Sequence, residues 1–172
     1  TGLNTGGMGA VSPVPGFDAA LKEKVIKQII EPTLKGLQNE KLEYKGFVFL
    51  GLMISQGNPY MIEYNCRMGD PETEVVIPRI KNDLVSILMA TAKQELDKLQ
   101  IETDERTAVT VVAASGGYPG NFEAGKLIEG LKDAFVNDSI IFHAGTEEKN
   151  GKVFSRGGRV LAATSFGNNI AD

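Results

Sequence analysis

The spacing of hydrophobic residues changes several times along this chain, and each change marks an element. Leu21, Val25, Ile26, Ile29, Ile30, Leu34 and Leu37 recur at the three-and-four interval of one helix face, which predicts an amphipathic helix interrupted or kinked near Pro32. The runs Gly46–Ile54 and Tyr60–Asn65 are β-prone and are separated by Gln56-Gly57-Asn58-Pro59, the signature of an antiparallel hairpin. Beyond Asp70 a short helix is expected to reach about Ile77 and stop at Pro78. A second helix, capped by Asn82 or Asp83, carries Leu84, Ile87, Leu88, Ala92 and Leu96. The charged stretch from Lys93 to Arg106 reads as a linker, because it gives way to Ala108-Val109-Thr110-Val111-Val112-Ala113-Ala114, a run of buried-strand type. Further strands are expected around Ser139–His143, Lys152–Phe154 and Gly158–Ser165. The pattern predicts an α+β fold with a boundary near residue 105: an antiparallel sheet with helices over residues 1–105, then a small β-rich domain over 106–172.

Composition narrows the function classes. A chain of 172 residues with 42% hydrophobic and 23% charged residues can build one or two ordinary cores. A net charge of −4 with no Lys/Arg block argues against a nucleic-acid footprint, so any anionic ligand must be met by a local site. The single cysteine, Cys66, rules out an internal disulfide framework and a cysteine-rich zinc site. Without a charged-then-apolar leader or a long apolar run, the expected location is the cytoplasm, away from membranes. The chain opens without an initiator Met in a glycine-rich loop, which is how a piece of something longer begins.

The densest chemistry lies in Glu63-Tyr64-Asn65-Cys66-Arg67-Met68-Gly69-Asp70-Pro71-Glu72-Thr73-Glu74. Strand residues two apart face the same side, so Glu63, Asn65 and Arg67 are expected in one polar row, with Tyr64, Cys66 and Met68 turned away. A carboxylate plus an amide oxygen suits Mg²⁺, which takes few protein oxygens and completes its shell with water and phosphate. Arg67 supplies a planar fork for a phosphate or carboxylate, though it has acidic neighbours to pair with. Asp70 before Pro71 reads as a helix N-cap that aims a positive helix end at the same spot, and Glu72 and Glu74 suit the first helical turn. In Asn4-Thr5-Gly6-Gly7-Met8-Gly9, three glycines let backbone N–H groups approach an anion, as nests do. Cys66 is expected to be a small buried hydrophobe without chemistry. His143, at a strand end, is expected to be a hydrogen-bonded structural histidine. Gly157-Gly158-Arg159 is either a turn with a solvated arginine or a contact to a substrate phosphate.

Taken together, Asn4–Ala10, Glu63–Glu74, Ala114-Ser115-Gly116-Gly117-Tyr118-Pro119-Gly120, Phe142–Thr146 and Gly157–Leu161 resemble phosphoribosylamine–glycine ligase, also called glycinamide ribonucleotide synthetase. Five motifs in the same order are specific where any one glycine run would be weak. The resemblance implies an ATP-grasp enzyme that activates glycine as an acyl phosphate at the expense of ATP and transfers it to 5-phosphoribosylamine, with Mg²⁺ or Mn²⁺ as cofactor. It implies that residues 1–105 are the second ATP-grasp subdomain and 106–172 most of the C-terminal domain. The adenine pocket and phosphate-reaching lysines would lie in a missing N-terminal part of the same chain, leaving this chain inactive alone. On that resemblance Glu63 and Asn65 hold metal, Arg67 and Asp70 act at the reacting phosphoryl group, and Asn4, Thr5, Gly6, Gly7, Met8, Gly9 and Arg159 meet substrate. The strand Phe47–Ile54 lacks the further acidic ligand that many ATP-grasp proteins carry. The competing readings are another ATP-grasp carboxylate–amine ligase and a non-catalytic phosphate-binding module.

Overall fold

In the computed structural model, which describes residues 2–131 and 139–172, the helical periodicity of the first third becomes a continuous helical stretch. Asp18 caps it by accepting from the Leu21 N–H at 2.8 Å. α1 (Ala19–Val25) passes through a π-helical turn (Ile26–Ile30) into α2 (Glu31–Asn39). The wide turn sits next to Pro32, which lacks an N–H and whose ring crowds the carbonyl one turn back. Opening the ladder so that the Glu31 N–H reaches the Ile26 carbonyl removes that conflict without ending the helix.

The expected hairpin forms from β2 (Phe49–Ser55) and β3 (Asn58–Asn65), turning at Gln56-Gly57 where both residues take positive φ. α1 packs on β3, and Lys24 donates to the Gly57 carbonyl at 2.6 Å. A cleft of about 750 Å³ opens between the helical stretch and the hairpin, with Ile29, Leu37, Val48, Met61 and Tyr64 on its walls. Cys66 lies at this cleft and is exposed, not buried as its residue type suggested, because the strand has ended at Asn65. α4 (Leu84–Lys93) is capped by Asp83, which accepts from the Ser86 N–H at 2.7 Å. Asn82 instead ties the returning chain, accepting from the Glu102 N–H and donating to the Gln100 carbonyl. Residues 13–69 and 82–102 form one packing unit.

The other unit comprises residues 1–12, 70–81 and 103–172. Its main sheet has the order β1-β4-β9-β6, all antiparallel, from β1 (Gly9–Ser12), β4 (Thr107–Ala114), β9 (Arg159–Gly167) and β6 (Ile140–His143). A smaller antiparallel sheet joins β5 (Leu127–Ile128), β8 (Lys152–Ser155) and β7 (Thr146–Lys149). The β4 run is buried on one face only: Ala108, Thr110 and Val112 point inward while Val111 is 61% exposed. Opposite them Val160, Ala162 and Thr164 of β9 complete a face of small side chains. Short α3 (Thr73–Val76) packs on this face through Val75, which is 1% exposed, and Thr164 donates to the Glu74 carbonyl at 3.0 Å.

The packing divides the chain differently from a single cut near residue 105. The reason is Arg79, whose guanidinium donates to the Asp104 and Arg106 carbonyls and to the Ser12 hydroxyl. A bridge between Ile80 and Thr103 continues the same seam. The end of the charged stretch predicted to be a linker is therefore held in the sheet unit, with the Asp104 and Arg106 carbonyls accepting from Arg79. No helix among the described residues is long and apolar enough to cross a membrane.

Candidate functional site

The metal-type pair lies in the hairpin unit and its orientation depends on a bulge. Gly51 faces Glu63, but the next residue, Leu52, faces Met61, so Ile62 is the extra residue in β3. A bulge shifts the in–out alternation by one. Met61 and Tyr64 consequently both line the helix-side cleft, and the Tyr64 hydroxyl lies 3.0 Å from that of Thr33. Glu63 and Asn65 share a side, as expected: the Asn65 amide donates to Glu63 Oε1 at 3.1 Å. Gly51 makes this possible, because a Cβ there would stand 2.8 Å from Glu63 Cγ. Sequence reasoning missed Gly51, although a glycine inside a strand is itself the signal for a bulge or a close approach.

Arg67 departs from the expected row. β3 ends at Asn65, so strand alternation no longer governs residue 67, and Arg67 Nη1 donates to the Met68 carbonyl at 2.8 Å. Its side chain is exposed. Glu63 and Asn65 offer two hard oxygens from one strand, and no group of three or more His, Cys, Asp or Glu gathers elsewhere among the described residues. That donor set fits magnesium better than a metal needing a full protein shell.

The glycine loop, Asp70 and Arg159 lie in the other unit, where they meet. Arg159, at the start of β9, grips Asp70 through both carboxylate oxygens, with Nη1 at 3.0 Å and Nη2 at 2.7 Å. The same Nη1 reaches the Gly7 carbonyl at 3.1 Å. Neither the solvated turn nor a free phosphate contact describes this arginine, which is a fork closed on a carboxylate. Asp70 is accordingly not the helix cap: the residue before α3 is Glu72, and no side chain caps that helix. Gly7 allows the approach, since a Cβ would come to 2.4 Å from Pro71 Cδ and 2.8 Å from the Asp70 carbonyl oxygen.

The loop differs from an anion nest. Gly6, Gly7 and Gly9 all lack the positive φ that a nest requires. The Gly6 N–H is taken by the Tyr118 hydroxyl at 2.9 Å, the Met8 carbonyl accepts from the Val112 N–H, and Gly9 already belongs to β1. Asn4 and Thr5 remain exposed. Glu74 stands near this cluster with Oε2 buried and unpartnered, and burial first, then the Asp70 charge, pushes its carboxyl above the ordinary 4.5 against the opposing pull of its own backbone N–H and Arg159. His143 Nδ1 lies 3.0 Å from the Thr146 hydroxyl, in agreement with a structural histidine.

Against known proteins, residues 1–73 match the family model of the phosphoribosylglycinamide synthetase ATP-grasp (A) domain, and residues 108–172 match the model of its C domain. The phosphoribosylamine–glycine ligase of Agrobacterium fabrum is 47% identical over 172 residues, covering 100% of this chain and 40% of that protein. The ligase of the same name from Escherichia coli O157:H7 is 46% identical over 174 residues, covering 100% and 41%. The crystal structure of phosphoribosylamine–glycine ligase from Thermotoga maritima matches with a TM-score of 0.83 at 37% identity, over 99% of this chain and 41% of that one. The chain thus spans about 40% of the length of these relatives. Two models of one family, matched in order over residues 1–73 and 108–172, place the chain in the phosphoribosylglycinamide synthetase family.

Proposed function

We propose that this chain works in an ATP-dependent ligase that joins glycine to 5-phosphoribosylamine, giving glycinamide ribonucleotide, ADP and phosphate, in the cytoplasm. In this reading residues 1–105 descend from the second ATP-grasp subdomain and 106–172 from the C-terminal domain. A glycine carboxylate oxygen attacks the γ-phosphorus of ATP and ADP leaves. The amine of phosphoribosylamine then attacks the acyl carbon, the acyl C–O bond to phosphate breaks, and the amine gives up a proton. Glu63 and Asn65 would hold Mg²⁺ or Mn²⁺, which supplies charge neutralisation at phosphate. Arg67 carries an exposed fork, suited to stabilising charge on a transferring phosphoryl group. Asp70 is held by Arg159 with its side chain 57% exposed, so it is oriented yet accessible. Gly6, Gly7, Met8 and Gly9 shape the loop that presents Asn4 and Thr5 to substrate, and Arg159 sets that shape through the Gly7 carbonyl.

The observation that carries this reading is the coincidence of motifs from both family models in one hydrogen-bonded cluster: the Gly6–Gly7 and Asp70 motifs of the A domain with the Arg159 motif of the C domain. A different acceptor chemistry on the same metal strand would not require that C-domain motif. The test is ADP release by the complete enzyme with each substrate omitted in turn. Sustained, multiple-turnover release is expected only when glycine and phosphoribosylamine are both present. Release that ignores glycine, or accepts another carboxylate equally well, would contradict the assignment.

A further inference from the structure

The Gly116-Gly117-Tyr118-Pro119-Gly120 motif has no role in the chemistry above, yet it holds the glycine loop beside the Arg159 contact. Tyr118 Oη accepts from the Gly6 N–H at 2.9 Å across 112 residues of sequence. The ring packs against Gly158, where a Cβ would stand 2.2 Å from Tyr118 Cδ2, and Phe122 meets it edge-on with centroids 6.4 Å apart. The backbone beneath is tied down as well: Ser115 donates its N–H to the Gly158 carbonyl at 2.7 Å and its hydroxyl to the Gly157 carbonyl at 2.8 Å, and the Tyr118 N–H returns to the Ser115 carbonyl. The β4–β5 and β8–β9 loops therefore form one platform. From it two side chains reach the glycine loop, Tyr118 to the Gly6 N–H and Arg159 to the neighbouring Gly7 carbonyl.

We infer that Tyr118 is a positioning residue, whose hydroxyl fixes the Gly6 backbone and so sets the orientation in which Asn4 and Thr5 are offered to substrate. The Gly6 N–H has a single proton to donate and it is spent on Tyr118, so Gly6 serves conformation and not anion binding. Glycine at 158 is explained by the same contact, because any side chain there would displace the ring. The inference rests on the reading above that the Asn4–Gly9 loop meets substrate.

Tyr118→Phe separates the hydroxyl from the ring packing. Amide exchange on the chain should show Gly6 exchanging about tenfold faster, the effect of one hydrogen bond of ordinary strength, with Val112 and Ala162 unchanged. In the complete enzyme the KM for phosphoribosylamine should rise roughly five- to tenfold while kcat stays within about twofold, a split that general loss of folding would not give. Asn4→Ala and Thr5→Ala serve as controls. If they raise KM and Tyr118→Phe does not, positioning by Tyr118 is overturned while the substrate role of the loop stands. If neither control alters any KM, the substrate role itself fails and the inference with it. Unchanged exchange at Gly6 in Tyr118→Phe overturns it independently of any activity.

Discussion

The Asp70–Arg159 cluster and the Glu63–Asn65–Arg67 stretch both look like binding chemistry, but the chain treats them in opposite ways. Around Arg159 the polar groups are already partnered within the protein: a bidentate carboxylate, a loop carbonyl, and a neighbouring N–H held by a tyrosine. Among the described residues, the side-chain bond of Glu63 is to its neighbour Asn65, and Arg67 donates to the Met68 carbonyl. One region sits on a four-stranded sheet with α3 packed against it, the other on a two-stranded hairpin. The difference teaches that self-satisfied charges preorganise a shape, whereas charges left facing solvent are the ones with capacity for a ligand.

Variants that break this contrast should differ first in what they damage. The largest effect is expected for Glu63→Gln in the complete enzyme, where losing the only carboxylate of the metal pair should lower turnover by roughly a thousandfold or more. Steady-state ADP release at saturating magnesium checks it. Arg67→Lys comes next: a point charge replaces the planar fork, and kcat should fall about 10²-fold with substrate KM values little moved. A raised KM for phosphoribosylamine with kcat preserved would make Arg67 a ground-state clamp.

In the satisfied region the expected losses are of stability. Gly7→Ala drives a methyl into Pro71 and the Asp70 carbonyl, and denaturant unfolding should register about 1–3 kcal/mol, the cost of overpacking. The smallest effect concerns pH. Glu74 binds its proton more tightly folded than unfolded, so its favourable contribution is complete below the ordinary 4.5 and is lost as pH rises through its higher folded-state value. Glu74→Gln, which imitates the protonated form, should flatten the fall in stability across that window. A wild-type profile with no such fall would remove the burial argument.

Much of this was legible in sequence where one periodicity governs. The helix disturbed beside Pro32, the hairpin at Gln56-Gly57 and the β4 and β9 runs follow from spacing and turn residues alone. What spacing could not give was any event depending on a distant partner. Asp70 before Pro71 reads locally as a cap, and only the arrival of Arg159, 89 residues later, turns its carboxylate to another use. Three glycines read locally as a nest, yet Gly7 is small because Pro71 crowds it and Gly6 is occupied by Tyr118. The Lys93–Arg106 stretch has the composition of a linker, and the Arg79 fork that holds its last residues, Asp104 and Arg106, has no local signal. The bulge at Ile62 was half visible in Gly51, and it decides which face Glu63 takes.

The central claim, that one cluster preorganises while the other meets ligand, is tested most directly by measuring Glu63→Gln and Arg159→Ala side by side, reading turnover and unfolding free energy on each. The account predicts that Glu63→Gln loses turnover with its unfolding free energy unchanged within about 0.5 kcal/mol, as for a surface substitution, while Arg159→Ala loses about 1–2 kcal/mol of stability on leaving Asp70 without its fork. Equal stability losses in the two variants, or wild-type turnover in Glu63→Gln at saturating magnesium, would contradict it.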